Sequence, residues 1–114
     1  MDRNEEIDFL LRKLDISFYE PEFKIMSQFQ EEFNQLIITG NGFCKVFKYF
    51  DTRKRLCLGT IEEGQLLGVP QVLFECKPFY TIETMSYCTI GFISNTAVKD
   101  LMTSFHDMKK AFTD

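Results

Sequence analysis

The sequence has no tryptophan, a single histidine, His106, and no arginine after Arg55. A lone histidine cannot form a catalytic triad or a multi-histidine metal site, so the sequence indicates a non-enzymatic protein, with His106 on the surface of a helix. Arginine is the side chain that best grips phosphate with two parallel hydrogen bonds. Its absence from the second half of the chain removes the usual anion-binding group there.

Long apolar runs are also missing, because no stretch approaches the ~20 apolar residues that span a bilayer. The opening MDRNEEID is acidic, unlike the basic start of a signal peptide. The net charge of -4 gives no support to binding of nucleic acid or of an anionic membrane. We therefore expect a cytoplasmic domain, including the cytosolic part of a membrane protein, that does not itself insert into a membrane.

The four cysteines form no C-x-x-C pair of the kind that binds zinc or carries out redox chemistry. Cys44, Cys57, Cys76 and Cys88 are each surrounded by apolar or strand-like sequence, which predicts reduced and mostly buried thiols. The alternative is a disulfide or a reactive thiol. A reactive thiol needs nearby cations, which these surroundings do not supply.

What the chain does contain is enough apolar material for one domain. It has 114 residues, 45% of them hydrophobic and 13 of them phenylalanine, which predicts a single domain over 1–114 with an aromatic core. Tyr87 and Met102 are also expected to pack in the core rather than against a ligand. The phenylalanines expected in the core are Phe33, Phe43, Phe47, Phe92 and Phe105.

The apolar periodicity predicts a helix, then a series of strands, then a second helix. Ile7, Leu10, Leu11 and Leu14 repeat at helical spacing and place the first helix in 1–14. The predicted strands lie at 16–18, 23–25, 33–39, 43–50, 56–61, 81–84 and 88–93, with a loop at 28–32 and a tight turn at 40–42. The closing helix, 95–114, is predicted to be capped by Ser94 or Asn95 and to bury Val98, Leu101, Met102, Phe105, Met108 and Phe112. This order predicts a mostly β protein, a β-roll over 15–94 with flanking helices.

The segment DTRKR, from Asp51 to Arg55, is the one dense basic cluster. It lies between two β-like runs, so we interpret it as a solvated hairpin tip. A patch for nucleic acid or lipid is the less favoured alternative, because aromatic residues are not interleaved with the cations.

The stretch from Gly64 to Thr84 has the outline of an anion-binding turn. Gly68 permits a positive φ or a close backbone approach, and Pro70 suits the first turn of a helix. The residues expected to form the apolar side of that helix are Val72, Leu73 and Phe74. Lys77 is the only cation near the turn.

Four segments resemble the cyclic-nucleotide-binding domain family. LLRKLDISFYEPEFKI is similar to the entry of the domain, NGFCKVF to its third and fourth strands, and GQLLGVPQVL to its phosphate-binding cassette at 64–80. MSYCTIGFISNTAVKDLMTSFHDMKKAF resembles the end of the domain in cyclic-nucleotide-modulated and related potassium channels. The resemblance covers the whole chain and implies a cytosolic, jelly-roll-like β-roll that signals to a partner module.

Carried over residue by residue, the resemblance implies a degenerate pocket. The family's F-G-E motif falls on Leu67, Gly68 and Val69, so the glycine is kept and the glutamate that accepts from the ribose is lost. The family's phosphate-gripping arginine falls on Pro78, or on Phe79 if the spacing slips by one. The candidate ligand-binding residues are Leu67, Gly68, Val69, Lys77, Pro78, Phe79, Tyr80 and Thr81. Bulky Phe79 and Tyr80 are expected to fill the space of a sugar phosphate, with a segment beyond Asp114 as another candidate filler. Glu22 stands where the family often has a turn glycine.

Each lost hydrogen bond to a charged group contributes about 1.5 to 3 kcal/mol, so losing both contacts weakens binding by on the order of 3 to 6 kcal/mol. The resemblance therefore implies a module that binds cAMP or cGMP weakly or not at all, without any other cofactor, and that serves conformational coupling or assembly with other domains or subunits. The closing helix resembles a shortened lid helix, which weakens nucleotide binding further. The alternative is a working sensor that uses backbone amides and Lys77 in place of the usual arginine and glutamate.

Overall fold

A computed structural model describes residues 3–103. The chain begins with a helix, continues through eight strands interrupted by a short helix, and enters a last helix. The elements are α1 (Arg3–Lys13), β1 (Asp15–Tyr19), β2 (Lys24–Met26), β3 (Gln35–Thr39), β4 (Cys44–Tyr49), β5 (Arg55–Ile61), β6 (Leu66–Leu67), α2 (Val69–Phe74), β7 (Thr81–Thr84), β8 (Cys88–Ser94) and α3 (described over 95–103).

The strands form two antiparallel four-stranded sheets. The first has the order β1-β8-β3-β6 and the second the order β2-β7-β4-β5. The predicted fold class, a mostly β roll with flanking helices, is confirmed. Every predicted strand is present, and β6 is an additional short strand that pairs with β3.

The turn at 40–42 connects the two sheets rather than closing a hairpin. Gly42 has the positive φ, 91°, expected of a tight turn. Its two flanking strands do not pair with each other, because β3 pairs with β8 and β6 whereas β4 pairs with β5 and β7. The turn therefore moves the chain from one face of the roll to the other.

The core consists of two aliphatic clusters. The inner cluster lies between the sheets and contains Ile25, Met26, Ile37, Cys44, Ile61, Ile82, Cys88 and Ile90. The outer cluster, where helices cover the first sheet, contains Leu36, Val72, Ile93, Ala97 and Val98. Branched aliphatic side chains suit the space between two pleated sheets, so aromatic rings lie mostly at the margins.

The predicted aromatic core is only partly correct. Phe47 is buried, Phe33 and Phe92 are half-buried, and Phe43 is exposed beside the Gly42 turn. Phe105 lies outside the described residues.

The predictions for Tyr87 and Met102 are wrong. Tyr87 is 74% exposed because it lies in the turn between β7 and β8, and Met102 is 47% exposed on α3. Neither side chain contributes substantially to the core.

The thiols divide into a buried pair and a pair nearer the surface. Cys44 and Cys88 are buried, Cys76 is half-buried and Cys57 is exposed, and all four are free. The expectation of mostly buried thiols is thus wrong for Cys57, which lies on the exposed strand β5. Burial, together with the neighbouring Cys88, raises the pKa of the Cys44 thiol to about 12, so this thiol is unreactive at neutral pH.

The DTRKR segment is the tip of the β4–β5 hairpin, as predicted. The Asp51 carboxylate accepts the N–H groups of Arg53 and Lys54, both at 2.7 Å, and these bonds lower the pKa of Asp51. The Phe50 N–H donates to the Lys54 carbonyl at 2.8 Å and closes the turn. The whole tip is exposed.

The turn between β1 and β2 requires a left-handed residue. Glu22 has a φ of 67°, which explains why a glycine suits this position. Its N–H donates to the Thr84 carbonyl at 2.7 Å, so the turn is anchored to β7.

The start of α3 is capped as the sequence predicts. The Ser94 hydroxyl accepts the Ala97 N–H at 3.2 Å, and Val98 is buried on the inner side of the helix. Leu101 is half-buried. The remaining residues predicted for the inner side, Phe105, Met108 and Phe112, lie outside the described residues, as do His106, Lys109 and Lys110. Within 3–103, no helix is both long enough and apolar enough to cross a membrane.

Candidate functional site

The backbone of the cassette is built around Gly68. This residue is buried and has a φ of 86°, a conformation that favours glycine. A Cβ at this position would lie 2.6 Å from the Gln35 carbonyl oxygen, so β3 leaves no room for a side chain. The Gly68 carbonyl accepts the Val72 N–H at 3.1 Å, and Pro70 lies in the first turn of α2. The chain therefore turns sharply from β6 into α2.

Helix α2 buries a narrower face than the sequence predicts. Val72 is 1% exposed and belongs to the outer cluster, whereas Leu73 and Phe74 are 40% and 73% exposed. The helix has only six residues. Its C-cap residue, Glu75, has a left-handed backbone conformation with a φ of 54°. The Lys99 ammonium donates to the Glu75 carboxylate at 2.8 Å, lowers the pKa of that carboxyl and links α2 to α3.

Gln71 is the cassette residue that sequence reasoning missed. Its side chain is fully buried, and within residues 3–103 neither its amide nitrogen nor its amide oxygen has a hydrogen-bond partner. A buried polar group without a partner costs about 1 to 3 kcal/mol unless a water or a ligand completes its bonds. The available signal was a single polar residue inside the apolar run VPQVLF.

The resemblance places the family's two charged side chains at Val69 and at Pro78 or Phe79. Val69 is half-buried and packs against the outer cluster. Pro78 is buried, and the neighbouring Phe79 is 52% exposed. Neither position offers a hydrogen-bonding side chain to an anion.

Lys77, the one cation in the sequence of the cassette, is directed toward solvent. The Lys77 side chain is 60% exposed, and its ammonium lies 3.8 Å from the carboxylate of Glu31, whose side chain is 91% exposed. Such an ion pair is weak, because water and salt screen it. The Lys48 ammonium donates instead to the Phe79 carbonyl at 2.8 Å.

Of the remaining candidate residues, Leu67 and Tyr80 pack against the core, and Thr81 forms a hydrogen bond to a loop. Leu67 and Tyr80 both pack against the inner cluster, and burial raises the pKa of the Tyr80 phenol. Thr81 is fully buried, and its hydroxyl accepts the Gln28 N–H at 3.2 Å. Tyr80 is thus partly enclosed by the roll, whereas the ring of Phe79 is exposed.

The strongest charge pairing lies on the second sheet, away from the cassette turn. The Arg55 guanidinium donates to the Glu83 carboxylate at 3.0 Å and to the Tyr49 hydroxyl at 3.2 Å, and it lies 3.8 Å from the centre of the Phe47 ring. The Tyr49 hydroxyl and Glu83 raise the pKa of Arg55. Ile82 belongs to the inner cluster, so Glu83, the next residue along β7, projects from the opposite face of the sheet. No pattern in the sequence indicates that this glutamate is buried.

Two open surface cavities lie beside the roll. One, of about 490 Å³, includes Phe18, Glu20 and Tyr87 in its lining, and the other, of about 330 Å³, lies between α2 and α3. None of the eight candidate ligand-binding residues lines either cavity. Over 3–103, no three histidine, cysteine, aspartate or glutamate side chains are grouped closely enough to hold a metal ion.

Comparison with solved structures identifies the architecture. The regulatory domain of Toxoplasma gondii protein kinase A with cAMP matches with a TM-score of 0.80 and 19% identity over 100% of this chain and 44% of that chain. Thermus thermophilus catabolite activator protein matches with a TM-score of 0.78 and 16% identity over 96% of this chain and 53% of that chain. The fold is that of cyclic-nucleotide-binding domains. No family model and no curated protein sequence matches the chain.

A third similar structure is a triple mutant of the regulatory subunit of a cAMP-independent protein kinase A from Trypanosoma brucei, bound to cAMP in its A site. It matches with a TM-score of 0.77 and 17% identity over 100% of this chain and 41% of that chain. The chain thus spans about half, or less, of each of these three structures. These neighbours are regulatory or binding proteins, and cAMP is the ligand named for two of them. None of the three is a channel.

Proposed function

We propose that this chain is a non-enzymatic regulatory domain of the cyclic-nucleotide-binding type whose pocket is degenerate for cAMP and cGMP. In this proposal the domain transmits conformational change, or mediates assembly, between domains or subunits of a larger signalling protein. The single observation that carries the proposal is Pro78, a buried residue without a donor at the position of the family's phosphate-binding arginine.

The surroundings of Pro78 support the same conclusion. Val69 packs into the outer cluster at the position of the family's glutamate, and the Lys77 ammonium lies beside Glu31 rather than in the interior. The geometry of Gly68 is kept, so the fold retains the backbone of the cassette while its charged contacts are missing. These observations favour a degenerate pocket over a sensor that relies on Lys77.

We further propose a cation channel, such as a potassium channel, as the parent protein. This part of the proposal rests on the similarity of residues 85–112 to the end of the channel domain. The domain then extends over 1–114 on the cytosolic side of the membrane, where its partners are other domains or subunits of that protein.

Titration of the chain with cAMP and with cGMP tests the degenerate pocket. By calorimetry or by chemical-shift mapping, we expect no saturable binding at micromolar nucleotide. Saturable micromolar binding, with shifts confined to residues 64–84, would overturn the proposal. If Lys77→Glu then abolished that binding, the sensor would be the correct alternative.

A gain-of-function variant sharpens the test. In the Trypanosoma brucei triple mutant, two adjacent substitutions introduce arginine followed by alanine. The equivalent change here is Pro78→Arg with Phe79→Ala, and the matched control is Pro78→Ala with Phe79→Ala, which opens the same space without a charge. We expect the arginine variant to bind cAMP about 10- to 100-fold more tightly than the control, because a hydrogen bond to a charged group contributes about 1.5 to 3 kcal/mol. Equal affinity of the two variants would remove position 78 from the phosphate site.

A further inference from the structure

Strand β5 is an exposed edge of the second sheet. It pairs with β4 on one side, and within residues 3–103 no strand pairs with its other side. Residues 55–60 are all exposed, including the apolar side chains of Leu56 and Leu58, which are 53% and 54% exposed. An exposed edge strand presents unpaired N–H and C=O groups that can pair with another strand. This edge therefore has both the backbone groups and the apolar side chains of a docking surface.

The charges around this edge are arranged symmetrically about Leu58. Arg53 and Lys54 precede Leu58 by five and four residues, and Glu63 and Glu62 follow it by the same distances. All four side chains belong to exposed residues, and within the described part of the chain none of them takes part in an ion pair. The turn before the strand is thus basic, and the turn after it is acidic.

We propose that β5 pairs with β5 of a second copy of this chain, antiparallel and about a two-fold axis near Leu58. In that arrangement Lys54 of one copy faces Glu62 of the other, and Arg53 faces Glu63. The two-fold axis repeats both pairs, so a self-complementary interface arises from one strand. Leu58 meets its own copy at the axis, and the exposed Leu56 is covered nearby.

The same charges disfavour a parallel pairing of the two β5 strands. A parallel pairing would bring each basic end against the basic end of the partner, and like charges placed directly opposite each other are destabilising. Leu58 is also the unpaired extra residue of a β-bulge, because Gly59 pairs with Val46 and Cys57 with Phe47. Bulges and edge charges restrict unspecific strand pairing. The bulge at Leu58 thus opposes pairing at the axis, and the complementary charges of a second copy must offset that effect.

A single short strand gives a small interface, so we expect a weak and reversible dimer that forms at high micromolar concentration. Sedimentation velocity over a concentration series measures it directly. Raising the salt from about 0.05 M to about 0.5 M should weaken the dimer several-fold, because exposed ion pairs are screened. A chain that remains monomeric at millimolar concentration would overturn the inference.

Charge-exchange variants test the register. Arg53→Glu with Lys54→Glu makes both ends of the strand acidic, and Glu62→Lys with Glu63→Lys makes both ends basic. Each variant alone should lose the dimer, whereas an equimolar mixture should form a heterodimer at least as tight as the wild-type dimer, because all four ion pairs form again, two with the wild-type sign and two with reversed sign. Dimers that persist in either variant alone, or a mixture that stays monomeric, would contradict this interface.

Leu58→Lys provides an independent variant at the axis. It places two ammonium groups against each other in the dimer, while the monomer gains only one exposed charge. We expect loss of the dimer with an unchanged melting temperature of the monomer.

The inference goes beyond the proposed function, since it concerns a surface outside the pocket. Nucleotide titration and sedimentation can therefore fail independently.

Discussion

The cassette and the β4–β5 hairpin differ in their side-chain charges: the hairpin contains a buried ion pair, whereas the cassette contains a glycine turn without charged contacts. The cassette has a left-handed glycine, Gly68 at a φ of 86°, with a short helix after it, but Val69 and Pro78 supply no charge. The hairpin has the charges, and its Arg55 is paired with the buried Glu83 at 3.0 Å. Among residues 3–103, the buried Gln71 amide of the cassette has no hydrogen-bond partner, whereas the buried Glu83 carboxylate near the hairpin has one.

This difference shows that backbone geometry and side-chain chemistry are separable in the fold. The glycine turn is required by the packing of β6 and α2 against β3, so it persists whether or not a ligand binds. A charged side chain in the cassette has no such packing requirement. A similar backbone is therefore support for the fold, whereas the function must be argued from the side chains.

The largest effect is expected at the glycine of the cassette. Gly68→Ala introduces a Cβ that would lie 2.6 Å from the Gln35 carbonyl oxygen and forces alanine to adopt a φ of 86°. The left-handed conformation alone costs about 1 to 2 kcal/mol, and the clash requires a further backbone shift. We expect the free energy of unfolding to fall by about 3 kcal/mol or more, as measured by urea denaturation.

Two other glycines separate the cost of the left-handed backbone from the cost of the steric clash. Gly64 has a φ of 82° with nothing within 4 Å of an added Cβ, so Gly64→Ala should cost only the conformational part, about 1 to 2 kcal/mol. Gly59 has neither a positive φ nor a close neighbour, and Gly59→Ala should change the stability by less than about 0.5 kcal/mol. Equal costs at Gly68 and Gly64 would show that the approach to β3 is not restrictive.

A smaller loss of stability is expected when the ion-pair partner of the buried Glu83 carboxylate is removed. Arg55→Met removes the guanidinium and leaves Glu83, which is 7% exposed, without its ion-pair partner. Breaking a fully buried pair costs about 3 to 5 kcal/mol, and because the Arg55 side chain is 39% exposed we expect about 2 kcal/mol. The measurement is the free energy of unfolding from chemical denaturation.

A double variant and a neighbouring arginine provide the controls. Adding Glu83→Gln to Arg55→Met removes the unpaired charge and should restore part of the lost stability. Arg53→Met removes an exposed cation that makes no ion pair within 3–103, so the change should stay within about 0.5 kcal/mol. If Arg55→Met lowered the free energy of unfolding as little as Arg53→Met, the ion pair with Glu83 would not stabilise the hairpin. The two regions would then not differ in how their buried polar groups are stabilised.

Much of the fold was predictable because it depends on local patterns. Alternating apolar residues placed the strands, and the glycines of the turns placed the chain reversals. The sheet partners of β3 and β4 were not predictable, since a turn sequence such as Gly40-Asn41-Gly42 does not specify whether its flanking strands pair. Exposure of Tyr87 was missed for a related reason, because a short turn between two strands contains no periodicity that indicates a buried side.

The cassette was predictable in its backbone and less so in its side chains. The positive φ of Gly68 followed from residue type, and Pro70 indicated the start of α2. Burial of Gln71 and Glu83 could not be inferred, because both residue types are usually exposed and only the tertiary packing encloses them. The solvent exposure of Lys77 depends in the same way on the path of the loop after α2. The roles of the eight candidate ligand-binding residues stay a prediction.

The smallest effect, and one of opposite sign, is expected at the unsatisfied amide of the cassette. Gln71→Met keeps the length of the side chain and removes both amide atoms, which have no hydrogen-bond partner within 3–103. Leaving a polar group buried and unpaired costs about 1 to 3 kcal/mol, so we expect the methionine variant to be about 1 kcal/mol more stable in chemical denaturation. Gln71→Glu, which buries a charge instead, should be strongly destabilised in the same assay. A loss of stability in Gln71→Met would mean that a water or a ligand pairs with the amide, and the cassette would then resemble the hairpin in satisfying its buried polar group.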